Sequence, residues 1–231
     1  MRVHVAFTPS EEILAPLGIV IDVLRATSTI TQAIASGYER VLCCAEVHEA
    51  RAAAAATGDA VLGGERDAVR IDGFDFGNSP REFTGRPAAG TLVLTTTNGT
   101  RLLLAAAARS DTVLVGSLLN LGALVAEAHA SGAEDVAVLC AGVLGELALD
   151  DAYVAGRIAE SLGGEATDSA AAAIRLARSF SSHEEGLSSS QSARNLLEAG
   201  LEEDLAFCAR ESVLEVVPRF SRMVGTAAEV R

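Results

Sequence analysis

Short apolar runs rich in β-branched residues recur along this chain, and nearly every one gives way to a stretch of helical composition. Val3 to Phe7, Ile19 to Leu24, Val41 to Cys44, Ala60 to Leu62, Thr91 to Thr95, Thr112 to Val115 and Val136 to Cys140 read as strands. Ser28 to Ala35, the run EVHEARAAAAA from Glu46, Arg101 to Ala108, Leu121 to Ser131 and Asp150 to Ser161 read as helices. The strands are apolar almost throughout, which suits burial on both faces. This order predicts an α/β layered fold with a predominantly parallel or mixed central β-sheet and helices on both faces. One α/β unit over residues 1–231 is expected, with a smaller C-terminal lobe from about residue 165, where the pattern changes. There Ser169 to Phe180 reads as a helix. The serine-rich stretch Ser181 to Ser192 reads as a lid or as a loop leading to a helix near Asn195. Val213 to Val217 reads as a last strand closed by Pro218.

The formal charge is -13, from 18 basic and 31 acidic residues. A polyanion would be repelled by such a surface, so nucleic acid is not an expected partner. A small anion can still be held by a few arginines. Cysteines 43, 44, 140 and 208 lack the CxxC spacing of a zinc or redox site. Reduced thiols, and an N-terminus without an apolar stretch of signal-peptide length, predict a cytoplasmic protein. No run approaches the roughly 18 apolar residues of a membrane span, so no membrane association is expected. The alanine-rich helical faces suit close packing, and a homodimer is expected.

In open α/β sheets, ligands bind beyond the carboxyl ends of the strands. The uncommon polar residues fall there repeatedly: Asp22, Arg25, Thr27 and Ser28 after the second strand, TTTNGT at 95–100, Ser117 and Asn120, and CAG at 140–142 followed by Asp150 and Asp151. A carboxylate leaving a strand can ligate a hard metal or serve a nucleophile, or it can form a buried ion pair. A nearby guanidinium can grip a phosphate or carboxylate through paired hydrogen bonds. Asp22 and Arg25 are three apart, so the strand must end near Leu24 for both to face one cleft. Thr27 or Ser28 would then cap the next helix and leave its amides near an anion. The Asn-Gly pair in TTTNGT is a turn or a phosphate loop. Neither GxxxxGK[ST] nor GxGxxG occurs.

Asp22, Arg25 and Asp151 are the catalytic candidates. Asp22, Glu65, Asp150 and Asp151 are the metal candidates. Oxygen donors and scattered histidines favour magnesium over zinc. Thr27, Asn78, Ser79, Asn98, Gly99, Thr100, Asn120 and Cys140 are the substrate-binding candidates. Cys140 ends a strand without a histidine partner, and a packed thiol explains it better than a nucleophile does.

The segments IDVLRATSTI at 21–30, GFDFGNSP at 73–80, TTTNGT at 95–100, CAG at 140–142, DDAYVAG at 150–156 and LEEDLAFCARESVLEVVP at 201–218 carry a resemblance. In order and spacing, with Gly116, Ser117 and Asn120, they make the chain similar to the 2-phosphosulfolactate phosphatase (ComB-like) family over nearly its whole length. The resemblance implies a magnesium-dependent phosphomonoester hydrolase on an α/β fold. The substrate it implies is 2-phosphosulfolactate, a small anionic phosphate ester cleaved to 3-sulfolactate and phosphate in coenzyme M biosynthesis. Asp150-Asp151 stands where the family commonly has Glu-Asp, and SQSARN at 190–195 departs from a glycine-containing form. The departures bear on substrate identity more than on reaction class. Another phosphoryl-transfer enzyme, or a non-enzymatic small-anion-binding protein, are the alternatives.

Overall fold

The structure, a computed structural model, describes residues 1–85 and 87–231. The strands divide into two sheets rather than one. The first contains β1 (Arg2–Ala6), β2 (Leu17–Ile21), β7 (Thr112–Gly116), β8 (Asp135–Cys140) and the short β9 (Glu165–Ala166). Its order is β7-β2-β8-β1-β9, and every pairing is parallel. The second contains β3 (Arg40–Cys44), β4 (Ala60–Arg66), β5 (Val69–Arg70), β6 (Thr91–Thr95), β10 (Phe220–Val224) and β11 (Ala227–Val230). Its order is β10-β11-β3-β6-β4-β5, with β3, β6 and β4 parallel and the outer pairs antiparallel.

Alternate strand residues point to opposite faces, and both faces are covered. Ile19 and Ile21 of β2, with Val136 and Val138 of β8, pack outward under α4 (Leu121–Ala130), α5 (Leu149–Leu162) and α6 (Asp168–Arg178). Val20, Ala137 and Leu139 point the other way, to meet Val41, Leu92 and Leu94 of the second sheet. Helices α1 (Ala26–Ala35) and α3 (Gly99–Ala107) fill that central layer through Ile30, Ala33, Leu102 and Leu103. The far side of the second sheet, Leu42, Cys44 and Val93, packs with Ala50 of α2 (Val47–Thr57). The continuously apolar strands and the alanine-rich helices thus have one cause: each central strand serves two cores, and small side chains let helices lie close to sheets. The α/β class is as expected.

In the C-terminal part the helices expected over Ser169–Phe180 and near Asn195 are present, over Asp168–Arg178 and Gln191–Glu198, but the rest departs from the sequence reading. The serine-rich stretch is helical, as α7 (His183–Ser188) and α8 (Gln191–Glu198), followed by α9 (Glu203–Cys208). The serines cap these helices: Ser182 accepts from Glu185 N and Ser190 from Ala193 N. Val213–Val217 forms no strand. Its neighbourhood spends its backbone groups elsewhere, with Val213 N donating to Leu119 O, and Val216 O accepting from Asn120 Nδ2. The chain ends instead in the β10–β11 hairpin, which turns at Gly225 with φ +61°. No helix among the described residues is long and apolar enough to cross a membrane.

Candidate active site

The carboxyl ends of β2 and β8 from one sheet, and of β4 and β6 from the other, meet at a single cleft. Strand β2 stops at Ile21. The Thr27 amide and hydroxyl both donate to Asp22 O at 2.9 Å, and Ser28 Oγ donates to Val23 O at 2.8 Å. These hydroxyls reach back to carbonyls, so neither caps α1. The cap comes from Asp22, whose Oδ1 accepts from Ala26 N at 3.3 Å. Arg25, one residue before the helix, turns inward and is only 4% exposed.

The TTTNGT loop interlocks through Thr96 and Thr100, whose amides and hydroxyls bond reciprocally. Thr100 is buried beneath the cleft. Gly99 opens α3, and a Cβ there would stand 2.6 Å from both Ala26 Cβ and Asp22 Oδ2. No other residue fits between them. The amides of Thr96, Thr97, Gly99 and Thr100 are turned to the chain's own groups rather than left open for an anion. Glu65 Oε1 takes Thr97 N at 2.8 Å and Thr97 Oγ1 at 3.0 Å, while its Oε2 takes Ala68 N at 2.9 Å. The Gly99 amide faces Asp22 and favours its charged form. The helix terminus therefore holds the chain's own carboxylates.

Asp150 and Asp151 open α5 and are both buried. Asp151 Oδ1 accepts from Val23 N at 2.9 Å and its Oδ2 from Gly142 N at 3.0 Å. It ties together the chain leaving β2 and the chain leaving β8. Asp150 Oδ1 accepts from Ser192 Oγ of α8 at 3.1 Å. Burial is the main cause raising all three aspartates above the usual carboxylate range. Asp22 is pushed up to about 7, with Glu65 and Asp150 adding repulsion. Asp150 goes to about 6, its rise opposed by backbone and serine hydrogen bonds. Asp151 is raised well above its ordinary value, with Asp150 and Asp22 as like-charged neighbours.

Opposite the carboxylates lies Arg25. Its Nη1 donates to Asp204 Oδ2 at 2.7 Å and its Nη2 to Ala68 O at 3.3 Å. Asp204, on α9, is fully buried and also accepts from Ser79 Oγ at 2.6 Å. Sequence reasoning missed Asp204; the one available hint was that a buried Arg25 needs a counter-ion. Asn78 is 3% exposed, its backbone fixed by Thr29 Oγ1, yet its buried Oδ1 has no hydrogen-bond partner.

Asp22, Arg25, Glu65, Asn78, Asn98 and Ser192 line a cavity of about 130 Å³, which Asn195 of α8 also reaches. Ser192 and Asn195 were not among the sequence candidates, because nothing in SQSARN shows which way a short helix faces. Thr27, Ser79, Gly99, Thr100, Asp150 and Asp151 stand behind this wall rather than on it, and Asn120 and Cys140 also lie off it. Asn120 Oδ1 accepts from Ser117 N and Oγ, and its Nδ2 donates to Val115 O and Val216 O, so the amide is saturated as a brace. Cys140 is enclosed in the outer core, and burial pushes its thiol well up. Among the described residues, no group of three or more His, Cys, Asp or Glu side chains converges as a metal cage.

A profile described as 2-phosphosulpholactate phosphatase matches residues 4–222. A Thermus thermophilus protein named "Probable 2-phosphosulfolactate phosphatase" is 38% identical over 233 residues, spanning 98% of each chain. A protein of the same name from Symbiobacterium thermophilum is 39% identical over 222 residues, 92% of this chain and 94% of that one. Another, from Clostridium acetobutylicum, is 36% identical over 218 residues, 91% and 92% of the two chains. The match takes in every strand end that builds the cleft, from the chain after β2 to Asp204 on α9, and this chain belongs to the 2-phosphosulfolactate phosphatase family.

Proposed function

We propose that this chain is a magnesium-dependent phosphomonoester hydrolase that converts 2-phosphosulfolactate to 3-sulfolactate and phosphate. One arrangement carries the reading: the half-buried Asp22 and the buried Glu65 face the buried Arg25 guanidinium across a small cavity, with the buried Asp150 and Asp151 behind them. At roughly 30 Å³ per water molecule, the cavity of about 130 Å³ has the bulk of a single phosphoryl group.

The donor set fits a hard divalent cation. Asp22, Glu65 and Asp150 offer only oxygen, and burial raises Asp22 and Asp150, with Glu65 and Asp150 adding repulsion at Asp22. Magnesium keeps several waters and takes one or two carboxylates with the substrate phosphate, so a closed protein cage is not required. Asp22 and Asp150 would hold it, while Glu65, whose two oxygens already take Thr97 N, Thr97 Oγ1 and Ala68 N, braces the loop beside them. Asp151, whose two oxygens are already on amides, fixes the loop that presents Asp22. When bound, the cation supplies positive charge against the phosphate oxygens and acidifies water.

The chain's own groups do the rest. Arg25 donates to a phosphoryl oxygen, and Asp204 holds its guanidinium in the one orientation that leaves a face toward the cavity. Asn98 and Asn78 orient the ester with their amides. Asp22 orders the water that attacks phosphorus in line with the departing alkoxide.

Phosphate release from a panel of monoesters, with and without magnesium, tests the proposal. Turnover of 2-phosphosulfolactate that disappears with a chelator and returns with magnesium is expected. Tight binding of the esters without phosphate release would favour a small-anion-binding protein instead.

A further inference from the structure

A second cavity, of about 490 Å³, adjoins the first. Arg25, Ala68 and Asn78 line both, so these residues form the partition between them. The partition exists because β4 and β5 are joined by a tight hairpin whose tip residues, Asp67 and Ala68, have φ of +53° and +63°. Arg25 Nη2 donates to Ala68 O, which pins the tip in place.

The two chambers differ in charge. Asp22, Glu65 and Asp67 line the small one. Arg70 and Arg81 line the large one beside Arg25, with Val69 and Leu201 as apolar wall. The single carboxylate on that wall, Glu82, is already engaged, accepting from Gly77 N and Ser79 N at 3.3 Å each. Arg70 has no carboxylate partner among the described residues, and its Nη1 reaches only the Asp75 carbonyl, at 3.3 Å. Arg81 is more committed, its Nη2 paired with Glu203 and its Nη1 3.9 Å from Asp204 Oδ1. Asn78 stands at the junction with an unmatched buried acceptor. In a molecule of net charge -13, a chamber lined by arginines selects for an anion.

Resting on the phosphatase reading above, we propose that the large chamber is the leaving-group subsite. It takes the organic acid portion of a phosphate monoester whose phosphoryl group occupies the small chamber. Arg70 and Arg81 read its carboxylate or sulfonate. As the ester P–O bond breaks, the departing alkoxide takes up, through solvent, the proton given up by the attacking water, and Asn78 Oδ1 accepts from the hydroxyl so formed. The chamber lies within the roughly 300–1,000 Å³ range of small-molecule pockets, so it admits acids with a longer apolar body than a three-carbon one, against Val69 and Leu201.

The experiment compares kcat/KM for three phosphate esters: methyl phosphate, the ester of lactic acid, and the ester of 2-hydroxyhexanoic acid. The measured quantity is the ratio of each acidic ester to methyl phosphate. Arg70→Ala should lower this ratio about 10- to 100-fold, the range for a lost charge-assisted hydrogen bond. Arg70→Lys should recover part of it, and Arg81→Ala should lower it less. Val69→Trp, which narrows the chamber at an exposed position, should penalise the hexanoic ester more than the lactic one. A ratio unmoved by both arginine-to-alanine variants overturns the assignment, while leaving phosphatase activity standing. If the wild-type enzyme turns over no ester, the phosphatase reading fails. Calorimetric titration with 3-sulfolactate then decides for the chamber. Binding weakened about tenfold or more by Arg70→Ala upholds it, and absence of binding in the wild type overturns it.

Discussion

Two places in this molecule bury carboxylates, and they treat the charge in opposite ways. On β11, Glu229 is fully buried, but Arg40 Nη1 stands 3.1 Å away, Arg231 Nε 2.9 Å and Arg222 Nε 3.4 Å. Burial alone would raise its carboxyl; hydrogen bonds from Arg40, Arg231 and Arg222 together hold it below the usual range. At the carboxyl edge of the parallel sheet, burial raises Asp22, Asp150 and Asp151, and hydrogen bonds to amides and serines do not offset it. Buried charge is costly unless paired. The chain neutralises the first site with its own arginines. The second is left in deficit of positive charge, which agrees with the cation and anionic ester proposed above. Arg25 lies between the two cases, paired to Asp204 yet facing a cavity.

The largest effect is expected where pairing is broken. Asp204→Ala would leave Arg25 buried without its partner and strip Ser79 Oγ of its acceptor. Removing one member of a buried pair costs about 3–5 kcal/mol, readable by urea denaturation. A loss under about 1 kcal/mol, the level of an exposed ion pair, would mean that Arg25 already finds its counter-charge elsewhere. Arg25→Ala should raise KM, since the phosphoryl group loses its grip, and kcat should fall as well.

Next comes the catalytic side of the comparison. Asp22→Asn should lower kcat by roughly 10²–10³, the scale for losing one preorganised electrostatic group. Glu229→Gln should leave kcat within about twofold while reducing stability by about 1.5–3 kcal/mol, as for a lost charge-assisted hydrogen bond. Phosphate-release kinetics and denaturation on the same two variants test this. Equal losses of activity would erase the distinction between the two sites.

How much of this was legible depends on which physics wrote it. Strand ends are legible, because a buried parallel strand announces itself as an apolar run and the polar residues after it are conspicuous. Asp22, Arg25 and Asn98 were found that way. Glu65 was found only as an oxygen-rich residue in a turn-rich stretch; that β4 continues through it is a matter of pairing with β6 and β5. Asp204 was illegible, since an aspartate in LEEDLAFC reads as a first-turn helix charge, while its partner lies 179 residues away. The serine run misled in the same manner. Its hydroxyls report helix caps, and only tertiary packing shows that Ser192 reaches Asp150. The division into two sheets was equally hidden, because an apolar strand serving two cores looks the same whichever sheet holds it. Asp150 and Asp151 were both visible. Their division of labour, one on side-chain hydroxyls and one on backbone amides, follows from how α5 is set against β2 and β8.

The smallest expected effect tests the charge deficit itself. An unfolded aspartate titrates near its ordinary value of 3.8, whereas folded Asp22 titrates near 7 and Asp150 near 6. Between those limits the folded protein holds protons that the unfolded chain has released. Their contribution is fully present below the ordinary value, is lost as pH rises through about 6 and then about 7, and is absent above. Metal-free protein should therefore melt at lower temperature at pH 8 than at pH 5. A divalent cation competes with those same protons, so magnesium should stabilise little at pH 5 and more at pH 8. At about ten times its Kd the gain is about 1.4 kcal/mol. For a chain of this size that raises Tm by about 3–6 °C. In Asp22→Asn, both the pH slope and the magnesium increment should shrink together, because Asp22 contributes to both, and what remains of each is owed to Asp150. Glu229→Gln should leave the magnesium increment as it is, since the arginines around Glu229 already supply the charge there. Calorimetric melting of the three proteins at the two pH values, with and without magnesium, makes the comparison. A magnesium increment that is the same at both pH values, or that survives Asp22→Asn, would place the cation away from the acidic edge of the parallel sheet.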